Sequence, residues 1–342
     1  LLLRASIRRD PAIRHLRGPV IVVGQHPSYF DPFLAAYAVH PLVPNFLASN
    51  FFFRRRLVGA MLHKLGAIPK IQFRADPQAL KAMLRVLRRG GILGIFPEGS
   101  RSVDGRNLPI GNSIAKLVKK TGAAVVVVRT QGAHMSWPRW SENGIRRGRV
   151  RVESSVLLTA EDVAAMADTE IFRRMEAALA YNEYDAQREH PVRFRKKAMA
   201  AGLETILHKC PACRADWALR SAGDRIACRF CGNAARMTPE GFLVPDAPDS
   251  QVLPDPAAWN AFQRESMAEA IRQAGFSMEQ PVQVHISDLE NPYRPAGQGL
   301  LRLTPDGVSF EGTVDGAPSS LRFPLPGILG ISADYGSNFE LV

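Results

Sequence analysis

All four cysteines of this chain fall between positions 210 and 231, as Cys210, Cys213, Cys228 and Cys231 with the spacing Cys-x2-Cys-x14-Cys-x2-Cys. Two such pairs, each in a short turn, can bring four thiolates to the corners of a tetrahedron, the geometry in which Zn2+ closes its shell with sulfur. The flanks read as turns: Cys210-Pro211-Ala212-Cys213, and Cys228-Arg229-Phe230-Cys231-Gly232 with a glycine that permits a tight backbone. The spacing predicts a structural zinc ribbon over residues 205–238, in a compartment that keeps thiols reduced. Two disulfides or four idle thiols are the alternatives.

Around the ribbon the chain has 342 residues, 46% hydrophobic and 22% charged, enough for two or more domains and too apolar for disorder. No run of about 18 uncharged apolar residues occurs, so no bilayer-spanning helix is expected. Leu1-Leu2-Leu3 runs into Arg4, Arg8 and Arg9, which reads as the remainder of a longer start that held an anchor or signal. Charge is uneven: residues 1–200 hold 33 basic and 15 acidic side chains, residues 201–342 hold 11 and 17. That asymmetry points to separate units, the first facing phosphate, nucleic acid or anionic lipid. Ordinary solvated surface charge is the plainer explanation.

The first part alternates strand and helix signals. Val20–Val23, Ile92–Phe96 and Val125–Val128 are short apolar runs, the first and last β-branched throughout. Between them Asp31-Pro32 and Asp76-Pro77 open helices with Asp as N-cap and Pro at N1, and Gly90 and Gly122 stop helices. The order predicts an α/β fold, a mostly parallel sheet flanked by helices over residues 1–200. Val150–Leu158 extends the sheet, and Thr159-Ala160-Glu161-Asp162 caps a long helix ending near Gln187. Prolines 239, 245, 248, 254 and 256 mark a linker over 239–258. Residues 259–342 read as a short helix and then a β-rich module, truncated at Val342.

Open α/β sheets carry ligands at the carboxyl ends of their strands, where two polar strings fall: Gln25-His26-Pro27-Ser28-Tyr29-Phe30-Asp31 and Phe96-Pro97-Glu98-Gly99-Ser100-Arg101-Ser102. A His followed five positions on by Asp is expected by chance about 0.4 times in this composition, but Phe-Pro-Glu-Gly only about 0.005 times. The two together, each at a strand end, carry the signal.

These strings resemble the first and third motifs of the glycerolipid acyltransferases, N-H-x-S-x-x-D and F-P-E-G-T-R-S, a family that makes phosphatidic acid from lysophosphatidic acid and an acyl thioester. The resemblance covers roughly residues 18–160. Gly66–Arg74 is a looser match to the second motif, ending in Arg74. Gln25 stands in place of the usual Asn, and Val125–Val128 lacks the proline of the fourth motif. The layout of acyltransferase unit, zinc ribbon and β-rich tail is similar to a bacterial branch of the family. The resemblance implies an O-acyltransferase of phospholipid biosynthesis, with acyl-coenzyme A or an acyl-carrier protein as donor and a lysophospholipid as acceptor. No redox cofactor is implied.

The chemistry stands beside the resemblance. Acyl transfer from a thioester to an alcohol needs a base near neutral pH, and imidazole suits it. His26 is the candidate base, oriented by Asp31 if the turn between them folds back. Arg101 would hold the acceptor phosphate through its planar fork. Glu98 would orient Arg101 or a glycerol hydroxyl, Gly99 would let the backbone approach the ligand, and Ser100 belongs to the same substrate-binding string. Phe51-Phe52-Phe53 beside Arg54-Arg55-Arg56 has the composition of a segment lying on an anionic bilayer, at the cytoplasmic face of a membrane; a buried helix start with a basic cap is the alternative. A lipid ester or thioester hydrolase using His26 and Asp31 is the nearest rival function. A zinc-ribbon nucleic-acid binder is disfavoured, because residues 205–240 hold only six basic against three acidic side chains.

Overall fold

The computed structural model describes residues 4–72, 75–286, 293–328, 330–334 and 338–341. They divide into two compact units: Leu1–Ala48, Leu65–Lys70 and Asp76–Ala261 form the first, and Ser49–Lys64, Ile71–Ala75 and Phe262–Val342 the second.

In chain order the elements begin β1 (Arg4–Arg9), β2 (Val20–Gly24), α1 (Asp31–Ala38), β3 (Asn45–Ser49), α2 (Asn50–Phe53), α3 (Arg56–Lys64) and β4 (Ile68–Lys70). They continue α4 (Pro77–Arg88), β5 (Ile92–Ile95), α5 (Ser113–Thr121), β6 (Ala124–Gln131), α6 (Ala133–Ser136), β7 (Arg149–Leu158), α7 (Ala160–Ala165), α8 (Asp168–Leu179) and α9 (Glu183–Glu189). The first unit is built on one seven-stranded sheet in the order β1-β7-β6-β2-β5-β3-β4. β1 and β7, β6 and β2, β2 and β5, and β5 and β3 pair parallel, whereas β6 and β7 pair antiparallel.

The apolar runs sit where a two-faced sheet needs them. Ile21, Val23, Val125 and Val127 face one buried cluster with Ile114 and Met175, while Val20, Val22, Val126 and Val128 face the other with Leu34 and Ala38. With helices on both faces neither alternate set reaches water, so the strands are apolar throughout. Each such valine contributes about 1.5–3 kcal/mol of burial.

Several local expectations are corrected. Asp31 is not the N-cap of α1: Phe30 occupies that position, and the Asp31 carboxylate turns back toward the preceding loop. The long helix after Thr159 is three helices, broken where Ala167 and Ala180 are extended and where the Asn182 side chain caps α9. Arg4–Arg9 is an edge strand paired with β7, and Leu1–Leu3 lie outside the described residues. The Asp76 cap holds, its carboxylate accepting the Ala79 N–H at 2.9 Å, and Thr159 and Asp162 form the expected capping box.

The ribbon belongs to the first unit. It comprises β8 (Leu219–Ala222), β9 (Arg225–Cys228), β10 (Ala234–Met237) and β11 (Leu243–Pro245), ordered β11-β10-β9-β8. Residues 243–245 of the proline-rich stretch are thus sheet, paired antiparallel with β10. The helix α10 (Pro256–Arg272) follows, and its buried Trp259 donates Nε1–H to the Lys209 carbonyl at 2.9 Å.

The second unit holds the antiparallel meander of β12 (Met278–Ile286), β13 (Arg294–Thr304), β14 (Gly307–Val314) and β15 (Ala317–Pro324), and the pair β16 (Ile331–Asp334) and β17 (Asn338–Leu341). Phe310 is buried against Gly299 and Gly312, where any Cβ would meet its ring within 3 Å. In the same unit Phe51 and Phe52 on α2 and Leu57 on α3 are exposed. Among the described residues no helix is long and apolar enough to cross a membrane.

Candidate active site and metal centre

Strands β2 and β5 are parallel neighbours, so the loops leaving Gly24 and Ile95 emerge side by side at one end of the sheet. The first carries His26 to Asp31, the second Phe96 to Ser102, and they are tied together. The Ser102 N–H donates to the His26 carbonyl at 2.9 Å, and the His26 N–H donates to Glu98 Oε1 at 2.9 Å.

The turn between His26 and Asp31 folds back and brings the two side chains together. His26 Nδ1 lies 2.8 Å from Asp31 Oδ2, which also accepts the Ser28 N–H at 2.8 Å. Beside a carboxylate acceptor the imidazole proton resides on Nδ1, leaving Nε2 with its lone pair. Nε2 has no hydrogen-bond partner among the described residues. Asp31 is 1% exposed and the His26 side chain 20%, so the carboxylate is sealed while the imidazole reaches the surface. Burial pushes the Asp31 carboxyl up; the His26 hydrogen bond and charge, the Ser28 N–H and the Arg101 charge pull it back.

A stack of rings supports the imidazole. The Phe96 ring lies against His26 with centroids 4.6 Å apart and 17° between planes, and Phe46 stacks on Phe96 at 5.7 Å. Two glycines leave room for it. A Cβ on Gly24 would sit 2.7 Å from the Phe96 ring, and one on Gly94 2.4 Å from the Phe46 ring. The first residue of the Phe-Pro-Glu-Gly string thus supports the histidine of the other motif, a role that its sequence gives no sign of.

Glu98 differs from expectation. Its two oxygens accept backbone N–H groups, Oε1 from His26 and Oε2 from Leu108 at 2.8 Å, so the carboxylate is a strut between loops rather than the orienter of Arg101. Gly99 takes φ +70° with open space where a side chain would stand. Ser100 Oγ accepts from Arg139 Nη1 at 2.9 Å. Arg101 lies over the Tyr29 ring, 3.3 Å from its centroid, and Tyr29 packs against Trp137. The buried Nη1 of Arg101 has no hydrogen-bond partner among the described residues. Desolvation weakens the hold of Arg101 on its proton, and the Arg139 charge adds to this, while Tyr29 and Asp31 oppose it. Arg74 lies outside the described residues.

Tyr29, Trp137 and Arg139 were not singled out from sequence. The usable signal was Trp137-Pro138-Arg139-Trp140, which holds two of the chain's four tryptophans in one loop. Gln25 also finds a reason: its Oε1 accepts the Thr130 N–H at 2.8 Å and its Nε2 reaches the Leu179 carbonyl at 3.4 Å, joining the loop to β6 and to the end of α8.

Two further buried carboxyls make stability depend on pH. Burial raises Glu98 and Glu183 to about 7 each. Between their ordinary range near 4.5 and that value the native state holds a proton the unfolded state has lost, so each group withdraws stability as pH rises through this window. Burial lowers His134 to about 4, and it acts in the opposite direction. Glu183→Gln keeps an oxygen for the Gly132 N–H while removing one titration. Relative to the parent it should gain stability from pH 5 to 7, by up to about 1.4 kcal/mol per pH unit. Urea midpoints across that range check this; a difference that stays constant with pH would refute it.

The cysteines converge as their spacing predicts. The four Sγ atoms lie within 4.8 Å of one another, with Cys210 to Cys231 and Cys213 to Cys228 both at 3.7 Å. Four sulfurs about 2.3 Å from a tetrahedral metal would be spaced about 3.8 Å apart, whereas a disulfide needs about 2.05 Å. The cluster could therefore hold a metal ion. One residue in each knuckle takes positive φ: Gly232 at 75° as expected, and Arg214 at 63°. The Phe230 N–H points at Cys228 Sγ at 3.4 Å, an outer contact suited to a thiolate.

The mostly parallel sheet of this α/β unit thus carries a His-carboxylate pair and a guanidinium on neighbouring loops at one end. Residues 6–131 match the family model described as Acyltransferase, and both motif strings lie inside that match. Among curated proteins, the chloroplastic 1-acyl-sn-glycerol-3-phosphate acyltransferase LPAT1 of Arabidopsis thaliana is 29% identical over 138 residues, 39% of this chain and 38% of that protein. The 1-acyl-sn-glycerol-3-phosphate acyltransferase of Bacillus subtilis is 22% identical over 159 residues, 46% of this chain and 76% of that one. The chain thus spans about two fifths of the plant relative's length. Among solved structures, the 1-acyl-sn-glycerophosphate acyltransferase PlsC of Thermotoga maritima aligns with a TM-score of 0.46 at 21% identity, covering 57% of this chain and 76% of that one.

Proposed function

We propose that the protein transfers a fatty acyl group from an acyl thioester to the free hydroxyl of a lysophosphatidic acid-like acceptor, with His26 as general base. The observation that carries this is the 2.8 Å contact of His26 Nδ1 with a buried Asp31 carboxylate, which leaves Nε2 as a reachable base. His26 takes the hydroxyl proton as the oxygen attacks the thioester carbonyl, and Asp31 stabilises the imidazolium that forms. When the tetrahedral adduct collapses the carbon–sulfur bond breaks, and the thiolate leaves with the proton from His26. Arg101 would meet the acceptor phosphate, a role supported by its Nη1 lacking a hydrogen-bond partner among the described residues, and Arg139, bonded to Ser100, would add positive potential beside it. Glu98 and Phe96 act through His26, one fixing its backbone and the other its ring.

The four cysteines would hold a structural Zn2+, for which a closed all-sulfur tetrahedron is suited. The donor is coenzyme A-linked or carrier-linked. The exposed Phe51, Phe52 and Leu57 suit peripheral contact with a lipid surface. The test is to incubate purified protein with an acyl-coenzyme A and lysophosphatidic acid in detergent, following thiol and lipid together. Thiol release matched by phosphatidic acid and lost in His26→Ala is expected. Free fatty acid as the only lipid product would instead establish the hydrolase.

A further inference from the structure

Away from the motif loops, the first unit contains a groove of about 950 Å3. One wall is the segment entering β7, the second is the stretch 193–199, and the third comes from the ribbon. Five cations line it: Arg147, Arg193, Arg195, Lys196 and Lys197, all exposed. The one acidic side chain lining it is Asp224, whose Oδ1 accepts the Met199 N–H at 2.6 Å. Arg193 pairs with Glu240 at 3.3 Å. Among the described residues the other four cations have no carboxylate partner.

The backbone that presents them is fixed. Arg147 and Arg195 exchange N–H and carbonyl bonds at 3.0 and 2.8 Å, and the Phe194 N–H donates to the Pro239 carbonyl at 2.7 Å. Phe194 is buried against Gly132 and Gly148, where a Cβ would lie 3.1 and 2.1 Å from its ring. Like charges gathered without counter-charge repel one another, and a concave wall of one sign concentrates potential in the space it encloses. Guanidinium forks and ammonium groups together match phosphate oxygens. The position is also informative. β7 runs antiparallel to β6, with Arg151 opposite Gln131, so residues just before β7 lie at the end of the sheet where the His26 and Glu98 loops emerge.

We propose that this groove binds a ligand carrying several phosphate charges. Two sources offer that chemistry, the nucleotide phosphates of a thioester donor and the phosphomonoester headgroups of a lipid surface. The nucleotide source rests on the acyl-transfer reading and the lipid-surface source does not, and the groove shares no residue with the His26 and Asp31 pair.

The test measures binding by the full chain, at low salt, of two probes: adenosine 3′,5′-bisphosphate by calorimetry, and phosphatidylcholine vesicles containing phosphatidic acid by sedimentation. Arg195→Gln/Lys197→Gln and Lys196→Gln/Lys197→Gln alter exposed, unpaired groups, and thermal melts confirm their folding. Arg4→Gln/Arg14→Gln removes the same charge from exposed sites outside the groove. Saturable binding of at least one probe, weakened tenfold or more in the groove variants and less than twofold in the control, is expected. The probe that responds identifies the source. Binding that survives in His26→Ala while acyl transfer is lost separates this site from the motif loops. Failure of both probes to saturate, or equal losses in groove and control variants, would overturn the proposal.

Discussion

Asp31→Asn is expected to lower kcat by about 10²- to 10³-fold with little change in acceptor KM. The size follows from which oxygen does the work. Asp31 Oδ2 accepts both the His26 Nδ1–H and the Ser28 N–H, each at 2.8 Å. An asparagine can place its carbonyl oxygen there and keep both bonds, so the imidazole retains its tautomer and Nε2 stays a base. What disappears is the negative charge that stabilises the imidazolium formed as the hydroxyl is deprotonated. In a site this buried the loss falls on the transition state and not on acceptor binding, which places the effect in kcat. Asp31→Ala removes the anchor as well as the charge and should cost a further tenfold or more. The amide has a second consequence: its Nδ2 falls where Oδ1 now lies, a buried atom without a hydrogen-bond partner among the described residues. An unsatisfied buried donor there should lower stability by about 1–3 kcal/mol. Steady-state kinetics with a thermal melt of the same preparation read both. A variant within threefold of the parent kcat would remove Asp31 from the mechanism and leave it a turn-forming residue.

The His26 and Asp31 pairing was legible in sequence because both residues lie in one short loop, where spacing alone limits how far apart they can sit. The ribbon was legible for the same reason, since each knuckle is local. What escaped was contact between distant segments. Glu98 looks in sequence like a charged ligand-facing residue, yet its partners are the backbone N–H groups of His26 and Leu108, and a backbone donor leaves no mark in the sequence. Phe96 reads as the last residue of an apolar strand, and only the void at Gly24 shows that it was meant to stack on His26. The Asp31-Pro32 pair satisfies the rule for a helix cap and also lies at the spacing for His26, and the carboxylate goes to His26 and Ser28 while Phe30 takes the cap position. Charged or very short strands escaped too: β1 is half arginine and β4 has three residues, so neither shows an apolar alternation. Both lie at the edges of the sheet, where little is buried and the sequence is least constrained.

Cys228→Ser is expected to abolish metal binding and unfold the ribbon. Cys228 is buried at the end of β9, its Sγ 3.7 Å from that of Cys213, and it receives the Phe230 N–H. A serine hydroxyl is a poor donor to a soft-sulfur site and stays protonated at neutral pH, so three thiolates would remain around a shell that closes at four. The ribbon has little else to hold it: its four strands are three or four residues long, and its buried side chains are few and small apart from Leu219, Ile226, Met237 and Leu243. Structural zinc in small domains carries on the order of 10 kcal/mol of folding free energy, more than a core of that size supplies. Mass spectrometry of the native parent should find one zinc per chain, and the variant none. Trypsin should then cut at Arg214, Arg220 and Arg229 in the variant, or in the parent after a strong chelator, at least tenfold faster than in the metal-loaded parent. The sulfur spacing makes a further demand: a reducing agent without a chelator should change nothing, because sulfurs 3.7 Å apart are not joined by a disulfide bond that reduction could break. Unchanged cleavage in Cys228→Ser, or a parent that loses its ribbon on reduction alone, would refute the metal centre.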